Sequence, residues 1–208
     1  MICNCPLGTA LPDIPKVTCG ESFGQIQKLA FQRLTNTTGV ANKFAKTASD
    51  ITKKASWDKF IAATDDTKIV VSPFLNAPTA EAGAARTFGG GNDSLGGIEE
   101  VIGAEPTPFT AVFRRLPQNV VKAMKELVCE AQGHNLGVYL IDENGAVGAI
   151  AGATDGEYMP IPIESLFIGD KTLGGFEAPD SNAIQFSFRP NWSDDVKVVA
   201  CDFDARTL

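Results

Sequence analysis

The sequence predicts an α+β protein, predominantly antiparallel β in a sandwich- or barrel-like sheet, with one well-defined packed helix, a second shorter helix and a long extended arm. Three observations carry this. Six or more short runs rich in β-branched and aromatic residues alternate with turn residues, the pattern of antiparallel β structure. Asn144-Gly145 lies between two apolar runs, the strongest short hairpin signal. Pro117 stands ahead of a stripe of Val120, Val121, Met124, Leu127 and Val128 at helical spacing.

The elements follow in order. Residues 1–20 hold three prolines and three cysteines and read as an extended leader. The whole of 21–208 then reads as a single β-rich domain. Residues 23–34 fit neither a clean alternation nor a clean 3.6 period and are assigned as a strand, ended at 36–39 by Asn-Thr-Thr-Gly. Residues 49–63 predict a helix, with Ser49 or Asp50 as cap and Ile51, Ala55, Trp57 and Phe60/Ile61 at turn spacing. Residues 67–75 are a β-branched run that Pro73 ends near a sheet edge. A strand is expected over 109–116. The helix follows over 117–131, with Pro117 as its first residue, Gly133 as its stop and its stripe packed on a sheet. Residues 136–142 and 146–151 make the hairpin. Residues 158–168 alternate, with two prolines that predict an edge. Residues 183–188 alternate Ile184, Phe186 and Phe188 with polar residues, and 196–201 form a short last strand.

Residues 76–108 fit none of these patterns. The segment is 33 residues long, with seven glycines, six alanines and three prolines. Its large apolar residues are Phe88, Leu95, Ile98, Val101 and Ile102. Structureless connections beyond about 12–15 residues are uncommon in small domains and are usually functional or disordered. An internal arm of this size, in a chain without a convincing catalytic cluster, predicts a protein that grips copies of itself. The five apolar residues are its expected subunit interface.

At 208 residues the chain can bury a sizeable core. Its net charge of −7 argues against a sequence-reading nucleic-acid binder, which needs a basic face. The arm alone carries Glu81, Asp93, Glu99, Glu100 and Glu105 against Arg86, that is −5 + 1 = −4. An acidic wall repels phosphates and lets DNA pass without sticking. No apolar run approaches a membrane span, and Met-Ile-Cys-Asn-Cys-Pro has neither part of a secretory signal, so neither membrane residence nor general export is expected. Five cysteines, at 3, 5, 19, 129 and 201, are an odd number best read as reduced thiols. Cys129 and Cys201 are expected as small core residues.

No cofactor or metal is called for. Cys3-Asn-Cys5 with Cys19, even with His134, lacks the paired knuckles of structural zinc sites. His134, the single histidine, sits in a turn after the helix, where a cation gains from the helix dipole. The glycine run 89–97 is not a phosphate cradle, because the arm holds no lysine. Asp65-Asp66, Glu99-Glu100 and Asp194-Asp195 are neighbours that point to opposite faces of a strand, so none makes a facing catalytic pair. Asp202 and Asp204 offer a weak calcium pattern. No G-x-S-x-G elbow occurs.

The run Gly97-Ile-Glu-Glu-Val-Ile-Gly103, followed by a strand, a helix over 117–131 and a hairpin over 136–151, resembles tail-tube (major tail) proteins of tailed bacteriophages. The resemblance spans roughly 67–152 and lies in the order of elements. Residues 164–179 and the ending from Asn191 to Ala205 are similar to phage structural proteins, whereas the leader departs from the usual tail-tube start. The resemblance implies a virion component assembled in the host cytoplasm: rings, commonly hexamers, stacked around the DNA path and joined to other virion proteins. Glu99, Glu100 and Glu105 would then face the lumen. Ring formation by heterologous contacts and strand addition between copies are compatible with it. Two readings compete. One is another virion part, such as a head-decoration, collar or connector protein; the other is a monomeric glycan-binding β domain using Trp192 or Tyr139.

Overall fold

The computed structural model describes residues 13–17 and 22–208. The leader expected over 1–20, with Cys3, Cys5 and Cys19, therefore lies outside the described residues except for 13–17, which form no regular element. In chain order the elements are β1 (Ile26–Arg33), β2 (Phe44–Ala45), α1 (Lys54–Ile61), β3 (Ile69–Val71), β4 (Asn76–Ala80), β5 (Ala85–Gly89), β6 (Glu99–Ala104), β7 (Thr107–Arg114), α2 (Gln118–Gln132), β8 (Leu136–Asp142), β9 (Val147–Ala151), β10 (Glu157–Met159), β11 (Ile161–Thr172), β12 (Ser181–Phe188) and β13 (Val196–Val199). Every strand pair is antiparallel, so the protein is α+β with β structure dominant.

β1 and β8 form the centre, and both are covered on both faces. All seven residues of β8 are buried. Leu136, Val138 and Leu140 enter one core, while Tyr139 and Ile141 enter a second on the other face. A strand covered twice loses the apolar–polar alternation of a half-exposed one. That is why 23–34 has no clean period. Its buried polar residues are all partnered. Gln32 donates to the Thr67 carbonyl at 2.7 Å and accepts from the Tyr139 hydroxyl at 2.9 Å. The Lys28 ammonium reaches the Leu208 carbonyl at 2.7 Å and lies over the Phe74 ring.

The first core lies between β1/β8 and the inner faces of β11, β12 and β7, and is closed by α2. The stripe read from the sequence meets it through buried Met124 and half-buried Val120, Val121, Leu127 and Val128. The ends of α2 differ from expectation. Pro117 is the cap and not the first helical residue, with φ −63° and ψ 148°. Gly133 keeps φ −74°, and the left-handed residue after the helix is His134 at φ 53°. The second core is aromatic. Phe44, Trp57 and Tyr139 pack mutually with centroids 4.7–5.5 Å apart, and the Trp57 indole donates to the Ile51 carbonyl. α1 is shorter than expected and starts after Lys53; Ser49 forms an antiparallel bridge to Ala45, and the Asp50 carboxylate accepts from Thr52.

The Asn144-Gly145 hairpin joins β8 to β9 through a longer connection than a two-residue turn. The Gly145 N–H donates to the Asp142 carbonyl, Gly145 has φ 77°, and the Asp142 N–H donates to Ala146. This is a type I turn followed by a left-handed glycine. The buried Asp142 carboxylate accepts from the N–H groups of Asn144, Ala146 and Gly24.

β11 corrects the edge expected over 158–168. It lies between β8 and β12, with α2 against it. Pro160 falls in the gap between β10 and β11, and Pro162 sits where the two-residue pairing with β8 ends. Neither proline removes a needed ladder bond, so both are tolerated inside the sheet. Beyond Pro162, β11 bulges around Ser165, at φ 57°, and turns onto β12.

Candidate functional site

The segment 76–108 is not a structureless excursion. It is a two-stranded ribbon, and its inner half belongs to the main sheet. β4 pairs with β7 as the sheet's end strand. The ladder then continues outwards. The Glu81 N–H donates to Pro108 and the Glu105 N–H to Ala84, leading into β5–β6. At this joint the chains touch: a Cβ on Gly83 would lie 2.0 Å from the Glu105 carbonyl oxygen. Sequence reading missed the hairpin because neither of its strands has the apolar content expected of one. The available signal was a pair of short β-compatible runs, Arg86-Thr-Phe and Glu-Glu-Val-Ile, flanking a Gly-Asn-Asp-Ser turn.

Glycine makes the tip possible. Gly89, Gly90, Gly91, Gly96 and Gly97 all have φ between 69° and 108°, a region that L side chains avoid. The Ser94 hydroxyl accepts from the Gly90 N–H across the turn.

The ribbon holds its apolar residues in solvent. Phe88 is 59% exposed, Leu95 97%, Ile98 71%, Val101 66% and Ile102 60%. Register sorts them by face. Phe88 lies opposite Glu100, and alternation puts Ile98 on that same side. Thr87 lies opposite Val101 on the other side, where its hydroxyl donates to the Glu99 carboxylate at 2.6 Å. Ile102 is the extra residue of a bulge between the Arg86–Gly103 and Thr87–Val101 pairs. Glu99 and Glu100 therefore occupy opposite faces, and Glu105 is exposed at the joint. Among the described ion pairs, none involves an arm carboxylate. An isolated two-stranded hairpin is marginal in water, so this one has much to gain from being covered.

The root is rigid. Phe109 stacks on Phe186 at 4.6 Å, and Phe188 stacks on Trp192 at 4.2 Å, directly inside the joint. A shallow cleft of about 330 Å³ lies between Trp192, Asn191 and the joint residues Gly83 and Glu105. β4 itself is a poor template for strand addition, because it bulges at Ala77 (φ 47°) and carries Pro78.

A second apolar projection was not singled out by sequence reading. The β11–β12 connection presents Leu173, 77% exposed, and Phe176, fully exposed. Its signal was a lone phenylalanine after Gly174-Gly175.

Two solved structures are similar to part of this chain. One is a chain of the virion of a native gene transfer agent particle, at 11% identity over 61% of this chain and 85% of that one, with a TM-score of 0.35. The other comes from the tail of an empty particle of that kind in C6 symmetry, at 12% identity over 62% and 88%, with a TM-score of 0.34. At such TM-scores neither likeness establishes a common fold. No protein-family model and no curated protein matches the chain.

The other sequence candidates have structural partners. Asp65 accepts from the Thr67 hydroxyl and N–H, which hold its carboxyl below its usual range. Asp66 accepts from Thr37 and pairs with Arg33. Asp202 pairs with Lys53, and Asp204 receives the Arg206 N–H and guanidinium. His134 is exposed, with Nδ1 3.9 Å from Glu164. Among the described residues no three His, Cys, Asp or Glu side chains converge on a metal position. Tyr139 is fully buried, which removes it as a glycan platform, and Trp192 uses one ring face on Phe188. Cys201 is half-buried, but Cys129 is exposed on α2, away from the core expected for it. No helix among the described residues is long and apolar enough to cross a membrane.

Proposed function

We propose that this chain is a self-assembling structural component of a virion, a tail-tube protein whose rings stack around the DNA path. The observation that carries this reading is the β5–β6 ribbon, rooted in the main sheet and holding Phe88, Leu95, Ile98, Val101 and Ile102 in water. Exposed apolar groups on a preformed element mark an interaction surface. The partner is a further copy of the chain, in rings that are hexameric in the resembling family, with other virion proteins at the tube's ends. The protein works in the virion after assembly in the host cytoplasm. DNA passes without being read. Glu99 and Glu105 are the acids best placed to stay in solvent towards a lumen, since Glu100 shares the face of Phe88.

Magnitudes favour collective assembly. Burying one such side chain contributes about 1.5–3 kcal/mol, so Phe88, Leu95 and Ile98 together give on the order of 5–9 kcal/mol gross. Association itself costs about 4–15 kcal/mol. A single arm therefore sits near break-even, and a ring of arms engaging another ring together gains from effective concentration. Assembly should show a sharp concentration threshold.

Negative-stain microscopy of purified protein across a concentration series tests the reading, alongside a variant whose residues 82–105 are replaced by a short glycine turn. Tubes from the full chain and soluble units from the variant are expected. Rings that never stack would favour a collar or connector. Single particles at every concentration would overturn self-assembly.

A further inference from the structure

The arm and the Phe176 loop leave opposite ends of one sheet. β12 and β7 run side by side from the Ser181–Arg114 pair to the Phe188–Thr107 pair, about 24 Å apart at strand rise. The arm emerges beyond Thr107. The β11–β12 loop emerges beyond Ser181, because Thr172 pairs with Ser181 and the Arg115 N–H donates to the Asp180 carbonyl. Each end thus displays an uncovered apolar feature, and the two differ in shape: a ribbon at one end, a knob beside a cleft at the other. The cleft is about 570 Å³, lined by Arg115, Leu116, Lys171, Phe176 and Glu177 among others.

The two ends also differ in charge. The arm carries −4. At the loop end, Arg114, Arg115 and Lys171 stand against Glu177 and Asp180, which is 3 − 2 = +1. Arg114 and Arg115 are exposed and take part in none of the ion pairs among the described residues. Arg115 is held at φ 56°, a conformation uncommon for a long side chain.

We propose that the arm of one copy docks on the loop end of the same sheet in the next copy. Phe88, Ile98 and the tip residue Leu95 would pack on Phe176 and Leu173, and Glu100 would meet Arg114 and Arg115. The contact is heterologous, joining two different surfaces of one molecule, so each copy both offers and receives an arm and the joint propagates along the strand direction. The inference rests on the self-assembly reading and names the surface that receives the arm. Both partners are preformed in the described fold, so rigid docking is the starting expectation.

Two full-length variants test it. The first disables the arm with Phe88→Asp and Ile98→Asp. The second disables the receiving end with Arg114→Glu, Arg115→Glu and Phe176→Asp. Each alone should stop at one unit, monomer or ring, in analytical ultracentrifugation. Mixed, they should form a species of twice that mass and grow no further, because the mixture holds one working arm surface and one working receiving surface. Tube growth by the second variant alone, or a mixture that stays at unit mass, overturns this receiving surface. The self-assembly reading then stands or falls separately on wild-type tubes. A charge exchange guards against misfolding. Glu100→Arg and Arg114→Glu should each raise the critical concentration about tenfold, and the double variant should restore it. Lack of restoration counts against the pairing.

Discussion

Phe188 and Trp192 stack with centroids 4.2 Å apart and planes 16° from parallel, and this pair closes the core beneath the arm's joint. Trp192 follows the left-handed Asn191 (φ 62°), so a tight turn folds the indole back onto the strand that precedes it. Trp192→Ala removes the stack and opens a void against Phe188. Core Trp→Ala changes cost about 3–5 kcal/mol, and a half-buried tryptophan belongs at the lower end. Chemical denaturation followed by circular dichroism should show a loss of about 3 kcal/mol. A change within about 0.5 kcal/mol would mean that the stack carries little.

Acid stability should depend on Glu130. Arg33 meets it with two hydrogen bonds, 3.0 Å from Nε and 2.5 Å from a terminal nitrogen. The Arg33 hydrogen bond, outweighing burial, holds the Glu130 carboxyl below its usual range. A depressed carboxylate contributes stability that is fully present above its unfolded pKa, about 4.3, and lost as pH falls through the lower folded value. Both side chains are more than a third exposed, so the contribution at neutral pH is at most about 1 kcal/mol. Melting temperatures from pH 7 to 3 should therefore converge for wild type and Glu130→Gln at the acid end. Curves parallel throughout would show that the pairing does not matter.

How legible these features were in the sequence follows from what each depends on. α2 and the β8–β9 hairpin were readable because their signals are local: a stripe at helical spacing, and Asn-Gly between apolar runs. β12 was readable because one of its faces is wet. β1 was obscure because both faces are covered and its even positions carry Lys28 and Gln32, whose partners Leu208, Thr67 and Tyr139 are distant in sequence. The prolines of 158–168 suggested an edge because sequence does not show where a neighbouring strand stops pairing. The arm's five interface candidates were visible as apolar residues in an odd place. Its hairpin form was not, since it rests on the joint at Gly83 and Glu105. The proposed receiving end was invisible, being assembled from β7, β11 and a loop.

The two cysteines among the described residues should behave differently towards thiol reagents. The Cys201 thiol is pushed up to about 12 by burial, with Asp202 and Asp50 adding to the shift, and its sulfur lies 3.6 Å from the Ile51 carbonyl. Cys129 is exposed on α2, on the side away from Met124 and the rest of the stripe. Iodoacetamide at pH 8 followed by peptide mapping should modify Cys129 in the native protein, while Cys201 reacts only after denaturation. Equal rates at the two positions would contradict the packing of Cys201 against the 50–52 turn.

Gly83 and Gly174 allow the two projections to be disturbed without touching the core. A Cβ on Gly83 would sit 2.0 Å from the Glu105 carbonyl oxygen, and one on Gly174 would sit 1.9 Å from the Ala178 carbonyl oxygen. Both obstacles are backbone, so neither can rotate away, and the ribbon joint or the loop must open to admit a methyl group. The cores lie inside Phe109 and Ile168, and neither glycine packs against them. Gly83→Ala should therefore leave the thermal midpoint of the domain within a few degrees of wild type, since about 1 kcal/mol shifts a domain of this size by only about 2–4 °C. Assembly should respond far more, because a redirected ribbon no longer presents Phe88 and Ile98 in register. Gly174→Ala should act alike from the other end by moving Phe176. Midpoints from circular dichroism and tube counts from negative stain separate the two effects. If Gly83→Ala melts normally and still forms tubes of wild-type length, the ribbon's direction is not what joins the copies.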